Sequence, residues 1–273
     1  MKYKMIVLDL DDTLLRDDHT ISERTKKALM EAQEQGVKVV LASGRPTFGM
    51  RKVAEELNLE AYGSYILSFN GGKIIDCRTE EEMFNSSLTA AQAHRLYEIS
   101  KQEGVSIHTY IGDEIITEDN HMYTKMESDI TGLPTKVVDS FIDAVDVPVV
   151  KALMVEDPEI IARLSAKLNA EIGDQFSITP SKPYFLEFMV HGISKGTSLL
   201  TLIEKCGIKR EEVIAMGDSY NDVEMIKMAG LGVAMGNAPE DIKEIADHVT
   251  DTNMNDGVAK VVETFVLNEL VKH

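Results

Sequence analysis

The residues with the clearest chemical potential come at the start of the chain, in Asp9-Leu10-Asp11-Asp12-Thr13. Carboxylates at 9, 11 and 12 repel one another unless a cation holds them. A hard divalent ion with oxygen ligands is the economical partner, and magnesium is the common intracellular one. Asp9 follows an apolar run at 4–8 that reads as a buried strand. In open α/β sheets ligands bind beyond such strand ends, and Asp9 and Asp11, two apart, can both point into that crevice. The plainer alternative is a strand end followed by solvated turn aspartates. A second acidic group, Gly217-Asp218-Ser219-Tyr220-Asn221-Asp222, also follows an apolar run, at 213–216. Asp218 and Asp222, four apart, share a helical face. Taken alone, they could simply complement a helix dipole.

Two further groups stand at the starts of expected helices. Ala42-Ser43-Gly44-Arg45 offers a hydroxyl and bare backbone N–H groups, the makings of an anion cradle. Gly44 lets the backbone approach a ligand closely, although the same residues also suit a plain turn. Ser194-Lys195-Gly196 puts a cation where it opposes the helix dipole. Neutralising a phosphate and balancing aspartates would justify that lysine; a solvated surface lysine is the alternative. Carboxylate, hydroxyl, cation and carboxylate thus arrive in order at four strand ends or helix starts.

The elements that must position them alternate. The spacing predicts a capping box at Thr20-Ile21-Ser22-Glu23 opening a helix to Gln35, a strand over 37–42, a helix over 46–57, a strand over 65–69 and a turn at Asn70-Gly71-Gly72. Later come a helix over 195–206, strands over 213–216 and 232–235, and helices over 219–229, 239–246 and 257–270. This alternation implies a parallel sheet covered on both faces. The middle differs. Helices at 89–104 and 158–169 lie among period-2 stretches at 105–110, 114–117, 149–155 and 184–188, as in an antiparallel sheet with helices on one face. It reads as a second domain, residues 82–190, inserted into a core made of 1–81 and 191–273.

The 273 residues include 28 basic and 46 acidic side chains, a net charge of −18. Such a surface repels nucleic acid and anionic membranes at long range, and an anionic ligand needs local cations at its site. No stretch approaches the roughly 18 apolar residues of a membrane span. The run at 5–8 is broken by Asp9 too early for a signal peptide, so a cytoplasmic location is expected. Cys77 and Cys206 read as thiols in a reducing compartment. The His spacing suggests no zinc site.

With these motifs the chain resembles the haloacid dehalogenase-like superfamily of phosphohydrolases. That signature is D-x-D-x-T, a Ser or Thr after a strand, Lys, and G-D-x-x-N-D. Asp9/Asp11/Thr13, Ser43, Lys195 and Asp218/Asn221/Asp222 match it; Asp12 stands where many members carry Gly. The insertion resembles the type IIB cap of the Cof subfamily. Asn70-Gly71 and the segment from Ser181 through Pro183-Tyr184-Phe185-Leu186-Glu187 are similar to bacterial sugar phosphatases of that group, so the resemblance covers nearly the whole chain.

The resemblance implies a Rossmann-like, doubly wound parallel α/β core with an inserted α+β cap, and Mg2+-dependent hydrolysis of small phosphate monoesters through an aspartyl-phosphate. Asp9 would be the nucleophile and Asp11 the acid and base. Mg2+ would bind Asp9, the Asp11 carbonyl and Asp218, with Asp222 behind them. The Leu10 and Gly44 amides, Ser43, Lys195 and Asn221 would hold the phosphate. The cap would select the leaving group, with Asn70, Tyr184 and Glu187 as candidates beside His121 and Tyr123. Sugar phosphates lead as substrates, and flavin mononucleotide and pyridoxal phosphate are alternatives. The large mixed insertion speaks against a phosphomutase, and the full set of aspartates against dehalogenation.

Overall fold

A strand covered on both faces must be apolar throughout, and Met5-Ile6-Val7-Leu8 and Val213 to Gly217 are buried at every residue. The computed structural model describes residues 2–268. Its strands are β1 (Met5–Leu8), β2 (Lys38–Ala42), β3 (Tyr65–Ser68), β4 (Lys73–Asp76), β5 (Glu82–Asn85), β6 (Ser106–Ile111), β7 (Glu114–Thr117), β8 (Thr135–Val137), β9 (Ala152–Val155), β10 (Phe176–Lys182), β11 (Phe185–Val190), β12 (Val213–Gly217), β13 (Leu231–Ala234) and β14 (His248–Val249). Among the described residues they form an eight-stranded sheet, β14-β13-β12-β1-β2-β3-β4-β5, and a six-stranded one, β10-β11-β9-β6-β7-β8. The chain divides into two compact units. Residues up to Phe84 and from Ser194 onward make the first, and Asn85–Ile193 the second. No helix among the described residues is long and apolar enough to cross a membrane.

The first unit is a doubly wound α/β sheet. From β14 to β3 all pairs are parallel. Strand order turns around at β1, which lies between β12 and β2, so the crevice of such a fold opens at its C-terminal tip. Alternate β1 residues serve opposite cores. Ile6 and Leu8 pack with Leu29, Met50 and Val258, whereas Met5 and Val7 pack with Leu199, Leu202 and Met225. The sheet is not parallel throughout, because β4 returns antiparallel to β3. Only residues 69–72 separate these strands, far too few for a parallel crossover. With β5 also in this sheet, the chain leaves the first unit after Phe84 and returns at Ser194, three residues later at each crossing than the sequence pattern suggested.

Local chemistry corrects other boundaries. The helix Glu23–Glu34 is capped by Ser22, whose Oγ accepts the Thr25 N–H. Thr20, the expected cap, is held by Asp18 through both its N–H and its hydroxyl, a local turn that competes with capping. The helix expected over 219–229 starts as a tighter turn, Tyr220–Asp222, before Val223–Met228. The closing helix is Gly257–Val262 followed by a wider turn, Glu263–Leu267; its expected end at Leu270 lies outside the described residues.

In the second unit, β6, β9 and β11 pair antiparallel. Leu96, Phe141, Leu164 and Leu168, from three helices, pack with Ile107, Met154 and Leu186 on one face. Helices were expected on that face only, but Met122–Thr131 covers the other. Tyr110 donates its hydroxyl to Glu127, and Thr124 Oγ1 lies 3.3 Å from His108 Nδ1. This face carries buried polar groups, including Lys151 paired with Glu187 at 2.8 Å. Such groups must find polar partners, which Thr124 and Glu127 supply.

His108 gives this unit a pH dependence. It is wholly buried, and burial, reinforced by Lys151, pulls its imidazole down to about 3. An unfolded histidine titrates near 6.5, so the unfolded chain takes the proton first. The contribution of His108 to stability is therefore complete above about pH 6.5 and is lost as pH falls toward 3. Glu127, raised by burial, works in the opposite sense, so variants must be compared rather than absolute curves. Between pH 6.5 and 4.5, His108→Phe should lose about 2–3 kcal/mol less stability than the parent. Denaturant titrations at both pH values would show this, and equal losses in the two proteins would exclude it.

Candidate active site

The parallel register of β1 and β12, Leu8 opposite Met216, delivers Asp9 and Asp218 at neighbouring strand tips. Asp9 N–H still bonds Met216 O at 3.0 Å. The chain then makes a wide turn, Leu10–Leu14, in which Leu14 N–H reaches Asp9 O and Leu15 N–H reaches Leu10 O. Asp12 takes the left-handed conformation, φ 62°, which Asp tolerates better than most side chains. Asp9 is thereby buried, while about half of the Asp11 side chain stays exposed. The Leu10 side chain is fully buried in the core below.

Lys195 is fully buried. Its Nζ donates to the Asp9 carboxylate and, at 2.7 Å, to Asp222 Oδ1. The other Asp222 oxygen accepts the N–H groups of Asp218 and Ser219 at 3.1 and 3.0 Å. Thr13 donates its hydroxyl to Asp218 at 2.8 Å. This packing leaves no room for side chains on two glycines. A Cβ on Gly217 would lie 2.4 Å from Asp222 Cγ, and one on Gly196 would lie 2.5 Å from Glu224 Cβ.

Asp9, Asp218 and Asp222 each bring a carboxylate oxygen within 4.8 Å of the others. One ammonium thus faces three carboxylates. Burial raises the Asp9 carboxyl well above its ordinary range, against the pull of Lys195. Burial likewise lifts Asp218 to about 6, with the Thr13 hydrogen bond opposing. Burial also disfavours a charged Lys195, but Asp222 and Asp9 outweigh it and hold the ammonium in place. The uncompensated negative charge and an all-carboxylate donor set fit a hard divalent cation rather than a soft metal.

The Asp11 side chain does not join this cluster. The Arg45 guanidinium takes it as a fork, Nε to Oδ2 at 2.9 Å and Nη2 to Oδ1 at 2.5 Å. Ser43 is buried; its Oγ accepts the Arg45 N–H, and its carbonyl accepts the Asn70 N–H. Asn221 donates to Asn70 Oδ1 at 3.0 Å, and the Asn70 amide lies against Gly44. Asn70, grouped by sequence with the cap residues, therefore stands in the first unit with Ser43, Gly44 and Asn221. Tyr184 is in the second unit, stacked on Tyr123 with ring centroids 4.9 Å apart; His121 lies against that same tyrosine. Glu187 is buried within that unit on Lys151.

The sequence motifs contain Thr13 and Arg45 but give neither a role, and they do not point to two asparagines. Asn237 donates to the Asp12 carbonyl at 2.8 Å, and Asn253 donates its side chain to Leu15 O and its N–H to Asn237 Oδ1. Together they clamp the Asp9–Leu15 turn. They border a cavity of about 420 Å³ that also touches Asp218. Arg45 follows Ser43-Gly44 directly, but its partner lies 34 positions away, a separation no local pattern encodes.

A family model described as haloacid dehalogenase-like hydrolase matches residues 6–262. A haloacid dehalogenase-like hydrolase from Bacteroides thetaiotaomicron is similar at 43% identity and TM-score 0.90, covering 96% of this chain and 99% of that one. The HAD subclass IIB sugar phosphatase BT4131 is similar at 27% identity and TM-score 0.80, covering 96% of this chain and 98% of that one. The Bacillus subtilis 5-amino-6-(5-phospho-D-ribitylamino)uracil phosphatase YcsE is 33% identical over 97% of this chain and 96% of its own.

Proposed function

The chain belongs to the haloacid dehalogenase-like hydrolases and is a phosphatase, and from that premise we propose that it hydrolyses small phosphate monoesters with Asp9 as nucleophile and Mg2+ as cofactor. The observation that carries this reading is the buried Asp9–Lys195–Asp222 array with Asp218 beside it. Asp9, Asp218 and the Asp11 carbonyl would hold the ion. When bound, it neutralises phosphate charge and polarises a phosphoryl oxygen.

Asp9 attacks phosphorus as the ester P–O bond breaks, giving an aspartyl-phosphate. Asp11 protonates the departing alkoxide, then removes a proton from the water that attacks the same phosphorus and frees Asp9. Arg45 aims the Asp11 carboxylate. Lys195 keeps Asp9 oriented and supplies positive charge to an anion that three carboxylates would otherwise repel. Ser43, the Leu10 and Gly44 amides and Asn221 complete the phosphate's hydrogen bonds.

The substrate class proposed is a polyhydroxylated chain ending in phosphate. The names of two similar proteins, a sugar phosphatase and a phosphoribitylamino-uracil phosphatase, share that chemistry. Flavin mononucleotide belongs to the same class, and pyridoxal phosphate is the outlying candidate. Residues 85–193 are proposed to act as a type IIB cap choosing among these esters, with Tyr184 and Glu187 among its selecting residues. The net charge of −18 speaks against nucleic acid as the substrate, and the proposed setting is cytoplasmic.

The test is phosphate release from hexose phosphates, flavin mononucleotide and pyridoxal phosphate, in Mg2+ and in EDTA. Release should fall by about 10³-fold or more in EDTA, since a metal clamp and its Lys partner dominate charge stabilisation in phosphoryl transfer. Undiminished release in EDTA would remove the metal from the reading. Transfer of phosphate to a second sugar without release would make the protein a phosphotransferase.

A further inference from the structure

The link between β3 and β4 holds an unusual backbone. Phe69 and Asn70 are both left-handed, with φ 52° and 51°. That region is a genuine outlier for a bulky residue, and such strain persists only where the surroundings impose it. The surroundings here are the phosphate-site elements. Phe69 N–H bonds Arg45 O at 3.0 Å, Asn70 N–H bonds Ser43 O at 2.9 Å, and Ser198 Oγ donates to Gly71 O at 2.7 Å. Gly71 presses so closely on the start of the Lys195 helix that a Cβ there would lie 2.4 Å from Ser194 O.

The strain places one carboxamide. Asn70 Oδ1 accepts from Asn221 Nδ2 at 3.0 Å. The same amide backs Gly44, where a Cβ would lie 3.2 Å from Asn70 Nδ2. Asn221 has two amide hydrogens, and Asn70 takes one of them. The other is thereby restrained, because flipping the carboxamide would break that hydrogen bond.

We propose that Asn70 is a positioning residue for the phosphoryl group, acting through Asn221, and not a selector of the leaving group. This rests on the reading above that Ser43, Gly44 and Asn221 form the phosphate cradle. A residue that serves the phosphate alone affects every ester equally and affects inorganic phosphate too, whereas a leaving-group contact affects esters unequally and leaves inorganic phosphate unchanged.

Asn70→Gly is the variant of choice, because glycine keeps the left-handed backbone and removes only the amide. The measurements are KM for three esters with different leaving groups and Ki for inorganic phosphate in Mg2+. The expected result is a rise of roughly tenfold in Ki and in each KM by the same factor, the size of one hydrogen bond to a charged group. Asn70→Gly should add nothing in an Asn221→Ala background, since residues acting as one unit are not additive. Unequal KM changes with an unmoved Ki, or full additivity with Asn221→Ala, would overturn the inference. Ser43→Ala is measured alongside. A phosphate Ki unmoved by that change would overturn the cradle reading itself and Asn70 with it, whereas a raised Ki beside an unaffected Asn70→Gly would overturn Asn70 alone.

Discussion

Asp9→Asn should abolish turnover of every phosphate ester, by about 10⁴-fold or more in kcat, as loss of a covalent nucleophile does elsewhere. The change is nearly isosteric, but the amide is neutral and cannot form the acyl phosphate. The fold should survive and even gain. In the parent, one ammonium faces three carboxylates, two at the tips of β1 and β12 and Asp222 in the turn that follows, and burial already holds the Asp9 carboxyl well above its ordinary range. Replacing Asp9 removes one of the mutually repelling charges. In EDTA the variant should therefore melt no lower than the parent, while its stabilisation by added Mg2+ shrinks, since a ligand that binds the native state raises stability with its affinity. Phosphate-release assays and paired melts in EDTA and Mg2+ check both halves. Turnover near the parental rate would take Asp9 out of the chemistry. A melt much lower in EDTA would mean that the carboxylate stabilises the metal-free fold, contrary to the charge count.

Lys195→Met has the opposite signature. Methionine matches the volume of the buried stem, but the three carboxylates lose their one internal cation. Removing one partner of a buried ion pair costs about 3–5 kcal/mol. At roughly 2–4 °C per kcal/mol for a chain of this size, the melt in EDTA should fall by about 10 °C. Mg2+ should restore part of that loss by supplying the missing positive charge. It should not restore activity, because the lysine charge at the phosphate is gone; kcat should stay down by about 10²–10³-fold, the usual effect of losing one preorganised charge-stabilising group. Differential scanning calorimetry with and without Mg2+ reads the first effect and steady-state kinetics the second. A variant more stable than the parent in EDTA would show that Lys195 is not what reconciles Asp9 and Asp222.

The two variants separate because charge, not packing, governs this corner of the molecule. Asp222 illustrates the point. It spends one oxygen on Lys195 and the other on two backbone N–H groups, so both oxygens are hydrogen-bonded without touching solvent. Gly217 has no side chain because Asp222 occupies that space. The glycine of the Gly217-Asp218 pair is thus explained by the aspartate four residues after Asp218, a reason visible only in three dimensions.

Much of the site was legible in the chain. Asp9, Ser43, Lys195 and Asp218 each follow an apolar run or open a helix, and local periodicity is enough to find such positions. The strands that carry them appear within a residue or two of expectation, because apolar runs of four or five residues between glycines and charges have few other uses. The sequence marks Asn70 as a residue of interest without showing its neighbours. Its position within a turn said nothing about Gly44, 26 residues earlier, or Asn221, 151 residues later. The helix Met122–Thr131 was missed because its pattern is inverted, with Met122 and Ile130 exposed and Thr124 and Glu127 buried. A periodicity that equates apolar with inside cannot detect a helix laid over a polar sheet face.

By itself the sequence determined which chemistry is available: carboxylates, a hydroxyl and one lysine at chain positions where strands end and helices begin, since those choices are set by neighbours a few residues away. Only the tertiary structure decided how they are shared. It gave Lys195 to Asp9 and Asp222, turned Asp11 toward Arg45 instead, and set Asn70 behind Asn221. The physical reason is that hydrogen bonds and charge pairs act over a few ångströms of space, whereas Lys195 and Asp9, for example, lie 186 residues apart along the chain.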